Sequence, residues 1–443
     1  MIIMKCYFIL LLSIISIGCS SHKQKDNQSQ SVLPVINLSD NIQEVKSLPL
    51  SDVAERIEFI SLELTDKSLV GEIDGMYVSE HHIWIGQNHD GRILRFSREG
   101  KFLNSVGKKG QGPGEYVLLK PYSPFLINEK RKEVYAITSF QGVLVYDFDG
   151  TFKRKQANYQ TIYQNETCSA ECQYFTFNDA FFAKGSLPTF STNKDSLFAF
   201  AVLDSSFQFR RMFKNPSYIG REEEIIKHQP DMKKFFNYWQ EIEPSTDSYA
   251  NELTIKFADT DTVYRYDFSQ ECLTPQYAIK SNEKKGDYGA THQWFKELSV
   301  FDYWRISGYI PSKDFIYLFG NKGEEAYLYR YEKSNGQVRL LKRKGEIRER
   351  VIPGYNNNSP FRAFYGDFSF DNDLCGGKFT ARYRSEGKYW TQVFMPGEDE
   401  VDIEKIRTAE VKDAPMRDRF VKELENLRDN EDSNPLLMIV TLK

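Results

Sequence analysis

The chain carries almost no excess of charge. Its 58 Lys and Arg nearly balance 62 Asp and Glu, leaving a formal net charge of −4 over 443 residues. A nucleic-acid binder needs a basic footprint, so no nucleic-acid partner is expected. Cysteine is scarce: there are six, at positions 6, 19, 168, 172, 272 and 375, and no two form a C-x-x-C pair. A zinc ribbon and a disulfide-built fold are therefore excluded, and the core must come from packing. Beyond residue 18 no apolar run reaches the roughly 20 residues of a membrane-spanning helix. No G-x-S-x-G elbow and no H-E-x-x-H pair occurs, so no catalytic residue is assigned. His81, His82 and His89 cluster with Asp90, but neighbours in a strand face opposite ways, so at most one of the first two can join His89. The Asp-rich stretch Ser369–Phe379 lacks the fifth-position oxygen and distal Glu of a calcium loop and reads as a turn. No metal and no cofactor is expected.

What the chain does have is aromatic residues, 14 % of the total, with 26 Tyr and 33 Phe. That composition suits half-buried pleated surfaces. It also has an internal repeat. At an offset of about 50 residues, Ile93 meets Val143, Leu94 meets Leu144, Phe96 meets Tyr146, Gly100 meets Gly150 and Phe102 meets Phe152. Each copy is a strand, a tight turn ending in Gly, and a second strand. Asp149-Gly150 is a hairpin signal of type I′, in which both central residues have positive φ. Fainter copies begin at Ser196, Asp261, Ala326 and Gly387, and short strands such as "HHIWIGQ", "EVYAITS" and "DFIYLFG" precede several of them.

Sequence-local hairpins repeated at this spacing specify an all-β β-propeller. Units of roughly 50 to 70 residues give six or seven blades. A ring must hide its sheet edges. Ile57–Glu63 and Leu436–Lys443 are the expected N- and C-terminal contributions to one shared blade. Pro415 opens an amphipathic surface helix with Phe420, Val421, Leu424 and Leu427 on one stripe. A second, short helical insertion is expected from about Glu222 to Gln240.

The segment "VGKKGQGPGEY", Val106–Tyr116, falls between two repeats. Gly107, Gly110, Gly112 and Gly114 supply the backbone freedom of a blade-to-blade crossing, and Pro113 stiffens one step. A phosphate cradle is the competing reading, but Glu115 stands where a dinucleotide site has its third glycine, and strands flank the loop on both sides. The pattern resembles NHL-type repeats and, more closely, the six-bladed propeller lipoproteins of Bacteroidetes. The ends "VAERIEFISLE" and "DNEDSNPLLMIVTLK" are similar to that family's ends. The resemblance implies a six-bladed fold and an envelope location. It implies no activity.

The start of the chain fits that location. Lys5 precedes the apolar run Tyr7–Gly18, which ends at Gly18-Cys19 and gives way to a polar stretch. This resembles the lipobox of bacterial lipoproteins, departing from it in having Ser16 where Leu is usual; the competing reading is an ordinary secretory peptide. The expected organisation is a signal peptide over 1–18, a linker over 19–45 behind a lipidated Cys19, and one propeller domain over 46–443. The resemblance implies membrane attachment through the lipid, and Ser20, in place of a retention Asp, implies the outer membrane. Cys168 and Cys172 could close a small disulfide loop in an oxidising envelope.

Two stretches interrupt the repeat, Asn158–Phe175 and Asn215–Glu252. Loops on a rigid scaffold commonly carry binding residues. Tyr163, Tyr218, Phe235, Tyr238 and Trp239 are the candidate ligand-binding aromatics, with covering the rim of the core as the alternative role. The expected function is a binding module for a glycan, a peptide or an envelope protein. The alternative is a propeller enzyme, a lyase or glycan hydrolase, acting at the channel mouth.

Overall fold

The computed structural model describes residues 33–121, 123–139, 141–156, 172–185, 198–223, 244–257, 260–283, 304–350, 361–397 and 401–443. Within Pro34–Lys443 the strands form a six-bladed β-propeller. Blade 1 is built from Gly75–Val78, His82–Gln87, Arg92–Ser97 and Phe102–Val106, counted from the axis outward. Blade 2 follows with Phe125–Asn128, Glu133–Ile137, Val143–Asp147 and Phe152–Gln156. Blade 3 runs from Cys172–Phe177 out to Phe209–Phe213, blade 4 from Ser245–Tyr249 to Cys272–Lys280, and blade 5 from Arg305–Pro311 to Val338–Arg350.

Blade 6 is shared between the two ends of the domain. Tyr383–Ser385, Tyr389–Phe394 and Leu436–Leu442 come from the C-terminal part, and Ala54–Ser61 completes the sheet as its outermost strand. Leu436–Leu442 is buried along its whole length, as befits a strand with partners on both edges and packing on both faces. The copy beginning at Gly387 therefore differs from the expected repeat. It is the second strand of its blade, and after Gly397 the chain enters helices α1 (Ile403–Arg407) and α2 (Ala414–Arg428) before returning as the third strand. Asp413 caps α2 by accepting from the Met416 amide at 2.9 Å. Phe420, Val421 and Leu424 are buried in the cluster around blade 6, with Phe420 stacked on Phe59 at 4.9 Å.

The repeat is visible in the registers. Phe96 pairs with Phe102, Tyr146 with Phe152 and Leu203 with Phe209, each just beyond a one-residue bulge. The turns between these strands are not of type I′. The Gly150 amide bonds the Asp147 carbonyl at 3.0 Å, the strand closes again at Thr151, and only Gly150 has positive φ, +87°. That is a three-residue loop with one left-handed position. The Asp147 carboxylate supplies what the sequence reading missed: it accepts from the Asp149 and Thr151 amides. Asp204 does the same for Ser206 and Gln208, and Asp267 for Ser269 and Gln270. In blade 3 the left-handed residue is Phe207, φ +61°. Its fully buried ring packs against Tyr135, Tyr174 and Phe181, which offsets the roughly 1–2 kcal/mol that a side chain costs there.

The stretch before the first blade is a strap. Val35–Asn37 adds in parallel to Ala278–Lys280 at the outer edge of blade 4. Ile42–Glu44 then adds in parallel to Val338–Leu340 at the outer edge of blade 5. The strap is clasped by Asp371 and Asp373: the first accepts from the Leu48 amide, the second from the Ser51 amide and hydroxyl. Those carboxylates also meet Lys378, Arg343 and Lys412. They therefore hold the strap in place.

Candidate functional site

The inner strands surround a cavity of about 530 Å³ along the propeller axis. Blades 1, 2, 3, 4 and 6 line it, through stretches around Gly75, Phe125, Phe175, Asp247 and Arg384; among the described residues none of blade 5 does. Blades 4 and 6 instead meet directly. The Ala250 amide donates to the Gly387 carbonyl at 3.0 Å, and a Cβ on Gly387 would sit 3.0 Å from the Ala250 backbone. Arg384 Nε lies 2.8 Å from Asp247 Oδ2. Both contacts reach past blade 5.

Asp247 is almost fully buried, and burial pushes its carboxyl above the ordinary value despite the Arg384 guanidinium and the Ser248 amide, which donates to Oδ1 at 2.8 Å. At the end of the cavity formed by the turns after the inner strands, Tyr77 donates to Glu386 Oε1 at 2.8 Å. Burial raises both groups; the Glu386 carboxylate raises the phenol further, whereas the hydrogen bond from Tyr77 pulls the Glu386 carboxyl down against the rise that burial and the nearby Glu129 and Glu80 impose. Glu386 has φ +56°, a conformation that its turn imposes. His82 on the next turn lies 3.5 Å from Glu129, and burial lowers its pKa, so the ring is neutral near pH 7.

Other polar groups stitch the inner strands. Ser385 Oγ accepts from the Val78 amide and Tyr383 donates to the Ile73 carbonyl, joining blades 6 and 1. Ser123 and Thr176 bridge blades 2 and 3 through the Tyr174 and Ile127 carbonyls. Gln173, Thr246, Ser248 and Arg382 add further polar surface, and Phe125 and Phe175 add aromatic surface. The lining thus combines a few polar groups with aromatic walls, a surface that can both donate hydrogen bonds and stack. Among the described residues no group of three or more His, Cys, Asp or Glu could hold a metal ion.

The cavity residues were not singled out by the sequence reading. They come from five separate blades, and only the assembled ring brings them together. Of the expected aromatics, Tyr218 sits buried in a 3-10 turn, Pro216–Tyr218, and does not line the cavity. Tyr163, Phe235, Tyr238 and Trp239 lie outside the described residues, as do Cys19 and Cys168 and most of the expected helical insertion. Cys172 begins the inner strand of blade 3. Cys375 is buried, with its thiol pushed up to about 12 by burial.

The glycine loop runs between the last strand of blade 1 and the first of blade 2. Tyr116 is its anchor: wholly buried, its hydroxyl donates to the Gly91 carbonyl at 2.8 Å. A Cβ on Gly107 would meet the Tyr116 ring at 2.6 Å. Gly114 packs as closely on Phe152, and its carbonyl accepts from Tyr146 at 2.7 Å. The Gly112 amide is bonded within the loop by Glu115 at 2.8 Å, so these glycines serve packing inside the protein.

A crystallised putative exported protein from Bacteroides fragilis superposes with a TM-score of 0.53 at 18 % identity, covering 92 % of this chain and 99 % of its own. The extracellular domain of a putative hybrid two-component system from B. thetaiotaomicron is similar over 70 % of this chain and 32 % of its own, at 13 % identity and a TM-score of 0.33. No curated protein is a significant match. A family profile described as a domain of unknown function, DUF4934, matches residues 33–441, so nearly all of the propeller is the family's domain and the chain belongs to the DUF4934 family.

Proposed function

We propose that this protein is a lipid-anchored, cell-envelope propeller that binds a glycan or a peptide in its axial cavity. The observation that carries the reading is the state of the cavity's carboxylates. Asp247 is engaged by Arg384 and the Ser248 amide, and Glu386 by the Tyr77 hydroxyl. Groups already bound to one another organise a pocket; they are not free to shuttle protons. Gln173, Arg382 and the rings of Phe125 and Phe175 then offer hydrogen bonds, charge and stacking surface to a ligand. The leader and the Gly18-Cys19 junction support export and acylation, in keeping with the description of the B. fragilis relative as exported.

The second reading is a lyase or glycan hydrolase in the same cavity. It is favoured by the raised pKa values of Asp247, Glu386 and Tyr77, since perturbed groups in a cleft mark functional sites.

Full-length protein in detergent, screened on glycan and peptide arrays, tests the binding function. Arg382→Ala and Gln173→Ala should each weaken the ligand at least tenfold. Binding untouched by both changes would remove the cavity from consideration, and turnover of a bound glycan that Glu386→Gln abolishes would establish the enzyme instead. Anchoring is tested apart from this: Cys19→Ser should abolish incorporation of a palmitate analogue, and persisting label would refute acylation there.

A further inference from the structure

We propose that the outer edge of blade 2, Phe152–Gln156, docks an extended acidic segment of a partner protein by strand addition. The site is separate from the axial cavity.

The protein shows on itself how such an edge is filled. At blade 5 the outermost strand begins opposite the end of the third strand, Val338 facing Tyr331, and its free side carries Ile42–Glu44 in parallel. The Val45 amide donates to the Leu340 carbonyl at 2.9 Å, and the Glu44 carboxylate meets Lys342 at 2.7 Å. At blade 4 the same chemistry recurs. The Ala278 amide donates to the Pro34 carbonyl and the Leu38 amide to the Lys280 carbonyl, while Asp40 approaches Lys280 at 3.9 Å. The occupant is thus a short extended segment with a branched apolar residue and a carboxylate that finds a lysine on the rim.

Blade 2 repeats the receiving half. Phe152 faces Tyr146 as Val338 faces Tyr331, and Val143 faces Gln156 as Leu328 faces Leu341. Among the described residues no strand pairs with the far side of Phe152–Gln156. Three of its side chains are exposed: Phe152 at 38 %, with its inner side packed on Gly114 and Tyr146, and Lys153 and Lys155, which have no ion-pair partner among the described residues. The one cation of this strand that is matched, Arg154, is held by Glu133 at 2.6 Å on the other face. Blade 3 differs, because Arg210 on its rim is already paired with Glu271. An open ladder gives affinity through main-chain hydrogen bonds, and two unmatched lysines select a segment carrying carboxylates.

The test uses the full-length protein in detergent and a fluorescent, end-blocked peptide copying Asp40–Val45, the segment that fills the equivalent edge of blade 5. Hydrogen exchange should show slowed amides within residues 153–156, and anisotropy should give an affinity that falls with added salt. Lys153→Glu with Lys155→Glu should weaken binding at least tenfold. A peptide with Lys in place of both acidic residues should bind that variant better than the wild type. The proposal is overturned if binding is absent at millimolar peptide, if protection appears only at 338–344, where the peptide would have displaced the strap, or if the charge reversals leave affinity unchanged. Both lysines are exposed, so an unchanged melting temperature checks that the variant folds.

Discussion

Gly107→Ala is the sharpest test of how the glycine loop works. The residue has φ +68°, and a methyl group there would sit 2.6 Å from Tyr116 Cε1 and 3.1 Å from its hydroxyl. Two costs follow. Left-handed backbone costs an alanine about 1–2 kcal/mol. Crowding a ring that is wholly buried and tied to the Gly91 carbonyl adds about 1–3 kcal/mol, because the ring cannot move without losing that bond. The sum is about 2–5 kcal/mol. Gly323→Ala separates the two, since Gly323 has φ +56° but nothing within 4 Å of the added carbon. It should cost only the backbone part, about 1–2 kcal/mol. Urea unfolding of both variants measures the difference through the midpoint at constant slope. Heat is less sensitive: at roughly 2.1 cal/mol/K per residue over about 400 residues, a loss of about 3 kcal/mol lowers a two-state midpoint by only about 3–4 °C. In a Tyr116→Leu background, the extra cost of Gly107→Ala should largely vanish. Equal losses for Gly107→Ala and Gly323→Ala would refute close approach as the reason for glycine.

Arg384→Met should cost about 2–3 kcal/mol, less than the roughly 3–5 kcal/mol of a fully buried pair, because the guanidinium is 37 % exposed while Asp247 is not. Asp247 also gives a pH signature. Its folded-state pKa is raised, so the folded protein holds a proton that the unfolded chain releases. The stability difference between wild type and Asp247→Asn should therefore decline as pH rises from the ordinary aspartate value of 3.8 through the raised one; a flat or rising difference in urea midpoints contradicts it. Cys375 should resist maleimide at pH 8 in the folded protein, whereas half-exposed Cys272 should label, as peptide mapping would show. Asp413→Ala should cost about 1 kcal/mol through the lost cap of α2, read by the same urea midpoints.

Much of the fold was legible because it is local. The strand–turn–strand copies at Ile93 and Val143 share apolar positions, and the registers show the same pairs. The turn type was misjudged because Asp149-Gly150 was read by itself. Asp147, two residues earlier, decides the geometry by binding two amides of the loop, and the glycine supplies only one left-handed position. The copy at Gly387 matched the apolar pattern but not the role, because a buried second strand and a third strand have similar alternation. The axial site was hidden for another reason. Asp247 and Arg384 are 137 residues apart, counting from one number to the other, and nothing near either in sequence announces the other. Their meeting depends on how the blades splay, which packing decides.

The contact between Ala250 and Gly387 gives the ring a shortcut. A hydrogen bond and the Asp247–Arg384 pair run directly from the fourth blade to the sixth, beside the path through the fifth, whose inner strand lies against Ser245–Tyr249. Loosening the outer strands of the fifth sheet should leave this direct link between its two neighbours in place, although the core that the fifth and sixth sheets share would be disturbed.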